Sequence, residues 1–218
     1  PDSVLEGIGV EWARQEMGRR LARESGAPAD IVIGVPDSGI SAAQGYARES
    51  GIPYGVGLIK NRYIGRTFIQ PSQDRRERAV RLKLNPLAAN IRGKRVIMID
   101  DSIVRGTTSA RIVSALREAG AREVHMRISS PPFLHPCYFG TDIPDREGLI
   151  AHKHTVDETA RLIGADSLAY LSKDALRDVL ERCGGCPVCD ACFSGNYPVA
   201  PPPVAEKNIF DQRIHYAP

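Results

Sequence analysis

Two adjacent carboxylates, Asp100 and Asp101, close an apolar run, Val96-Ile97-Met98-Ile99, and a short loop holding Gly106, Thr107, Thr108 and Ser109 follows them. A strand that ends in acids and then passes through a glycine and hydroxyl loop into a helix makes an anion cradle. The helix N-terminus supplies unbonded backbone N–H groups and the positive end of its dipole. The hydroxyls of Thr107, Thr108 and Ser109 add donors. Beside a bound phosphate, the acid pair suits a Mg²⁺ ion or sugar hydroxyls. The competing reading is that the acids only cap the helix, a task for which one would suffice. The loop is neither a G-x-x-x-x-G-K-[ST] loop nor a dinucleotide G-x-G-x-x-G.

Two further groups of residues could do chemistry. Cys183, Cys186, Cys189 and Cys192 recur at steps of three, and Cys137 is the fifth cysteine. That spacing fits metal or iron–sulfur ligation in a reducing compartment better than a disulfide scaffold. A zinc ribbon would set its two C-x-x-C pairs ~12–20 residues apart. Residues 60–83 carry Lys60, Arg62, Arg66, Arg75, Arg76, Arg78, Arg81 and Lys83 against Asp74 and Glu77, so they hold +6 of a net +3, and the rest of the chain is −3. A basic segment on a mildly acidic domain fits a small polyanionic ligand; the bland alternative is a solvated loop.

Positioning these groups calls for alternating strands and helices. Gly7 to Glu24 spaces Ile8, Trp12, Met17 and Leu21 as one apolar helix face, ended by Gly26 and Pro28. Strands are predicted at Ile31 to Val35, Gly55 to Ile59, Arg95 to Ile99, Val124 to Ile128 and Leu168 to Leu171. Helices are predicted at Ser41 to Glu49, Thr107 to Glu118, Glu158 to Ile163 and Asp174 to Arg182, while 60–83 reads as neither. This order gives an α/β fold with a mainly parallel sheet flanked by helices. The tail after Tyr197 is proline-rich and reads as a surface wrap.

Composition sets the outer bounds. The 218 residues are 42% hydrophobic and 25% charged, which excludes collagen, coiled coil and wholesale disorder. A net +3 is too little to argue for nucleic acid, and no apolar run approaches the roughly 20 residues of a membrane span. The expected setting is the cytoplasm, with no nucleic acid and no membrane as partner. The chain opens on Pro1, which reads as a processed or truncated piece.

The acid pair and its glycine–threonine loop resemble the phosphoribosyl pyrophosphate (PRPP) motif of type I phosphoribosyltransferases. Three stretches narrow the resemblance to the glutamine PRPP amidotransferase family: Val35-Pro36-Asp37-Ser38-Gly39-Ile40-Ser41-Ala42, Leu58 to Ile69, and Asp101 to Ser109. The resemblance runs from about Asp2 to Pro198 and covers the family's C-terminal, phosphoribosyltransferase half. It implies a type I phosphoribosyltransferase fold over 1–182, with a Cys-rich and Pro-rich appendage over 183–218. The N-terminal glutaminase domain would be absent from this chain.

The resemblance also implies roles. Asp100 and Asp101 would handle the ribose hydroxyls and Mg²⁺. Ser102, Ile103, Val104, Arg105, Gly106, Thr107, Thr108 and Ser109 would hold the 5-phosphate, and Ser38 would lie in the pyrophosphate loop and touch the metal site. Lys60, Arg62 and Arg66, in a segment that folds over bound PRPP, are the candidates for its phosphates. The implied reaction is attack of ammonia, from glutamine in the intact enzyme, at C1 of PRPP with release of pyrophosphate, the first committed step of purine synthesis. His125, His135, His152, His154 and His215 fall in none of the motifs. Cys137, Cys189 and Cys192 match ligands of a [4Fe–4S] cluster; the fourth family ligand would lie upstream, and Cys183 and Cys186 are extra, although Cys186 is an alternative fourth ligand. Purine nucleotides as inhibitors and a homotetramer or dimer are further implications. The alternative is a PRPP-sensing regulator that keeps the fold.

Overall fold

A computed structural model describes residues 2–61, 84–141, 143, 146–181 and 188–201. Its elements are β1 (Val4–Leu5), β2 (Ile8–Gly9), α1 (Val10–Glu24), β3 (Ile31–Gly34), α2 (Ile40–Ser50), β4 (Leu58–Lys60), β5 (Leu84–Pro86), α3 (Ala88–Ile91), β6 (Arg95–Asp100), α4 (Thr107–Glu118), β7 (Glu123–Ile128), α5 (Ile150–Lys153), α6 (Val156–Ile163), β8 (Ser167–Tyr170), α7 (Lys173–Glu181) and α8 (Ala191–Ser194). The central sheet runs β3-β6-β7-β8, and every pairing in it is parallel. Strands β3 and β6 hold short apolar runs because both faces are covered, whereas β7 alternates Val124 and Met126 with the buried polar side chains His125 and Arg127.

Alternation along the strands sorts the core into two layers. Ile31, Ile33, Val96, Met98, Val124 and Met126 pack with Ile112, Val113 and Leu116 of α4 and with Ala160 and Ile163 of α6. Val32, Ile97 and Ile99 point the other way, against Leu21 of α1, Ala42, Ala43 and Tyr46 of α2 and Ala175 of α7. The helix after β3 therefore covers one face and the helix after β6 covers the other. The carboxyl ends of these neighbouring strands form a topological switch point, where open α/β sheets take their ligands.

Three sequence expectations need correction. Helix α1 begins at Val10, and Trp12 is 45% exposed; the inward face is Ala13, Glu16, Gly18 and Leu21. Glu16 can be buried there because Arg19 and Arg20 lie 3.2 and 3.6 Å from its carboxylate. The strand expected over Gly55 to Ile59 is displaced. Tyr54 makes a single parallel bridge to Val32, and the ladder proper, Leu58–Lys60, pairs antiparallel with β5 outside the main sheet. Strict alternation of strand and helix along one parallel sheet thus breaks here, because β4 and β5 pair antiparallel in a two-stranded sheet of their own. No helix among the described residues is long and apolar enough to cross a membrane.

Helices α1 and α2 cross at backbone contact. A Cβ built on Gly18 would lie 1.9 Å from the Ala42 carbonyl oxygen, and one on Gly45 would lie 1.9 Å from that of Gln15. Glycine inside a helix ordinarily costs about 1 kcal/mol relative to alanine. Here the alanine methyl would overlap a backbone atom that has no free rotor, and overpacking of that kind costs about 1–3 kcal/mol or more. We expect Gly45→Ala to lower stability by about 1–2 kcal/mol net, against the usual helix-propensity trend; urea unfolding of the two proteins with unchanged slope reads it directly.

Candidate functional site

Strand β6 delivers the two acids into different surroundings. Asp100 is 7% exposed, whereas Asp101 is exposed. The Asp101 N–H donates to Asp100 Oδ1 at 2.9 Å. Burial, and then the neighbouring Asp101 charge, push the Asp100 carboxyl well above its ordinary pKa. The Asp100 carbonyl accepts from the Ser129 N–H at 3.0 Å and the Ser129 Oγ at 3.3 Å, which ties the ends of β6 and β7 together.

The loop beyond is anchored from both sides. Ile103 is buried in the α4 layer, and the Val104 carbonyl accepts the Ile150 N–H at 2.9 Å. Gly106, at φ 77°, is the N-cap of α4, and among the described residues no side chain caps the helix end. The reading of Asp100 and Asp101 as caps is therefore set aside by the geometry. The N–H groups of the first turn have no intrahelical acceptor. Thr107 and Thr108 are exposed beside them, while Ser109 is buried.

A second loop comes to the same edge. The Val35 N–H donates to the Ile99 carbonyl at 2.8 Å, and the Gly39 N–H donates to the Val35 carbonyl at 2.9 Å. A Cβ on Gly39 would stand 2.4 Å from the Ile99 carbonyl oxygen, so only glycine lets this loop lie against the residue preceding the acid pair. The Pro36–Asp37 peptide is cis, and Ser38 is half-buried. Lys60 Nζ lies 2.5 Å from Asp37 Oδ2. Ser38 and the residues from Asp101 to Gly106 thus sit on loops at the β3 and β6 ends, Asp100 closes β6, Thr107 to Ser109 open α4, and Lys60 closes β4 against Asp37. Arg62 and Arg66 lie outside the described residues, as does His215.

The other histidines have structural neighbours or lie away from the acid pair. His125 is buried between Ser167 Oγ at 2.9 Å and Glu123 at 3.2 Å, and His135 Nδ1 lies 2.7 Å from Arg146 Nη2. Beside the loop that precedes α4 is a cavity of about 330 Å³, lined by Arg105, Thr107, Leu149, Lys153, His154 and Leu162 among others; nothing in the sequence spacing marks it.

The cysteine appendage folds back on the loop after β7. Leu134 and His135 donate backbone N–H bonds to the Cys192 carbonyl. Phe133 and Phe193 pack as tilted rings with centroids 5.0 Å apart, Tyr138 and Tyr197 meet edge-on at 5.3 Å, and the Tyr197 hydroxyl donates to the Pro136 carbonyl at 2.7 Å. Burial pushes the Cys137 thiol up, but the N–H groups of Gly140, Phe139 and Thr141 outweigh it and hold the thiol below its ordinary value. Cys192 is pushed up to about 11, by burial first and then by Cys137, with Cys189 adding to it. Cys137, Cys189 and Cys192 therefore share one corner. Among the described residues no three His, Cys, Asp or Glu side chains stand close enough to hold a single metal ion. Cys183 and Cys186 lie outside the described residues.

An acid pair, an open helix N-terminus and a tight glycine loop thus meet at a parallel-sheet switch point, the edge where open α/β sheets take their ligands. Residues 16–129 match the phosphoribosyl transferase domain family, and the chain belongs to that family. At finer grain it is similar to the amidophosphoribosyltransferase of Archaeoglobus fulgidus, with 60% identity over 203 residues, which are 93% of this chain and 44% of that protein. The amidophosphoribosyltransferase of Bacillus subtilis is 57% identical over 91% of this chain and 42% of its own length. The solved structure of glutamine PRPP amidotransferase from B. subtilis complexed with ADP and GMP superimposes with a TM-score of 0.81, over 91% of this chain and 44% of that one. The chain spans a little under half the length of these relatives.

The electrostatics of Asp100 carry a prediction. Its folded pKa is raised above the ordinary 3.8, so ionised Asp100 costs stability. The cost is absent below the unfolded value, sets in as pH rises through the interval between the two, and is complete above the folded value. Asp100→Asn is expected to stabilise the ligand-free protein by about 1–2 kcal/mol at neutral pH, the usual yield of relieving a strained functional group. The gain should vanish on acidification, as thermal melts across a pH series would show.

Proposed function

We propose that this chain is the phosphoribosyltransferase part of an amidophosphoribosyltransferase. It would form 5-phosphoribosylamine from PRPP and ammonia, with pyrophosphate leaving, as the first step of de novo purine (IMP) synthesis. The observation that carries this reading is the convergence of Asp100 and Asp101, the uncapped N-terminus of α4 and the Val35–Gly39 loop at one switch point. Identity of 57–60% to enzymes of that name supports it.

In this reading the 5-phosphate binds the N–H groups and hydroxyls of Thr107 and Thr108, within the loop from Ser102 to Ser109. The C1–oxygen bond to pyrophosphate breaks as nitrogen attacks C1, and the new amine then loses a proton. Ammonia is already a nucleophile, so the protein's task is to stabilise charge on the leaving group and exclude water. Lys60, Arg62 and Arg66 would face the phosphates. A buried carboxylate that accepts a hydrogen bond from the neighbouring Asp101 N–H is a fitting partner for a cation or for ribose hydroxyls. Asp100, Asp101 and Ser38 would hold Mg²⁺, which supplies charge neutralisation on the pyrophosphate when bound.

The thiol corner fits a [4Fe–4S] cluster in donor type, because a sulfur that accepts backbone N–H bonds is stabilised as thiolate. Cluster ligands also stand farther apart than those of one ion. Cys137, Cys189 and Cys192 would hold it in a structural role, with a fourth thiol from outside the described residues. Regulation by purine nucleotides is supported by the ADP and GMP in the B. subtilis structure. A homotetramer or dimer, a cytoplasmic setting, and glutamine as ammonia source through a separate glutaminase domain complete the proposal.

Two experiments test it. With PRPP, Mg²⁺ and ammonia, anaerobic pyrophosphate release should require ammonia and fall roughly 10²-fold or more in Asp101→Asn, the scale of removing one stabilising group from a charged transition state. PRPP binding without turnover would instead indicate a sensor. Separately, anaerobic reconstitution with iron and sulfide should give the broad visible absorption of a cluster, and Cys137→Ser should abolish it.

A further inference from the structure

Lys60 stands out because its charge is already spoken for. It closes β4, and its Nζ meets Asp37 Oδ2 at 2.5 Å, with 32% of the lysine side chain and 61% of the aspartate side chain exposed. Asp37 sits inside the anion loop itself, between Pro36 and Ser38. A carboxylate there opposes any polyanion that the loop receives. The loop cannot swing it away cheaply, since the Gly39 backbone lies against the Ile99 carbonyl and the Val35 N–H is bonded to that same oxygen.

From this geometry, and resting on the transferase reading above, we propose that Asp37 is an internal counter-anion for Lys60. Pyrophosphate, free or as part of PRPP, must displace Asp37 to reach the ammonium. Asp37 is thus a positioning residue that weakens binding of the anionic product and so favours its release, a step that often limits turnover. Holding substrate and product more tightly would not speed the chemical step.

Titration calorimetry of the protein with inorganic pyrophosphate in Mg²⁺ tests the idea. Asp37→Asn should bind pyrophosphate about 2- to 5-fold more tightly, the range that an exposed ion pair allows. Lys60→Met should bind it more weakly, and adding Asp37→Asn to Lys60→Met should recover less than the full gain, since the competition acts through the pair. Affinity for ribose 5-phosphate, which lacks the pyrophosphate, should not change, and equal melting temperatures would show that the isosteric variant is folded. Unchanged or weaker pyrophosphate binding in Asp37→Asn, with clear binding by the unsubstituted protein, overturns the counter-anion alone. An equal gain with and without Lys60 overturns it too, by showing general repulsion. Failure of the unsubstituted protein to bind either pyrophosphate or PRPP overturns the transferase reading along with it.

Discussion

The Ile99 carbonyl accepts one hydrogen bond from Val35, 2.8 Å long, and the rest of the site is built around that contact. It extends the β3–β6 ladder by one step past the end of β3 and turns the chain before Pro36. Gly39 then lies against the same oxygen, and the next residue of β6 is Asp100. Two loops 64 positions apart, counting from Val35 to Ile99, are thereby set side by side by backbone atoms. Apart from Gly39, where any Cβ would strike the Ile99 carbonyl, the contact does not depend on side chains, which is how a parallel switch point can serve as a rigid platform for ligand chemistry.

The same edge is costly to keep empty. Asp100 is buried beside another carboxylate, α4 starts without a side-chain cap, and Lys60 is matched to an acid in the anion loop. Each feature would be repaired if stability alone were selected, by an amide, by a capping serine or by a neutral loop. All three gather at one sheet edge, and in the proposed reading they would complement a ligand that carries cations and phosphates together. The pattern is local strain held by a stable frame, here the two apolar layers on either side of β6.

Much of this was legible in the chain. Val96 to Ile99 read as a buried strand because both faces are apolar, and Thr107 to Glu118 matched α4 because Gly106 and Gly120 bracket a periodic run. Legibility failed where partners are distant. Trp12 keeps helical spacing, yet faces outward because the Gly18–Gly45 crossing rotates α1 so that Ala13 and Glu16 point inward. The Gly55 to Ile59 strand slipped because its antiparallel mate, β5, is far along the chain and carries a proline. The Asp37–Lys60 pair and the aromatic contacts that seat the cysteine segment are likewise long-range, and no periodicity announces them.

The thiol corner has a consequence for synthesis on the ribosome. Cys137 belongs to the loop after β7, and Cys189 is made 52 residues later. At translation rates of about 5–20 residues per second, Cys137 emerges roughly 3–10 s before its partner thiols. Strands β3, β6 and β7 are complete by then, so the ligand edge can assemble while the corner is still open. In the folded protein the N–H groups of Gly140 and Thr141, from its own turn, meet the Cys137 sulfur. The nascent chain thus holds Cys137 before either Cys189 or Cys192 exists, and the corner closes only when Phe193 and Tyr197 have been made and meet Phe133 and Tyr138.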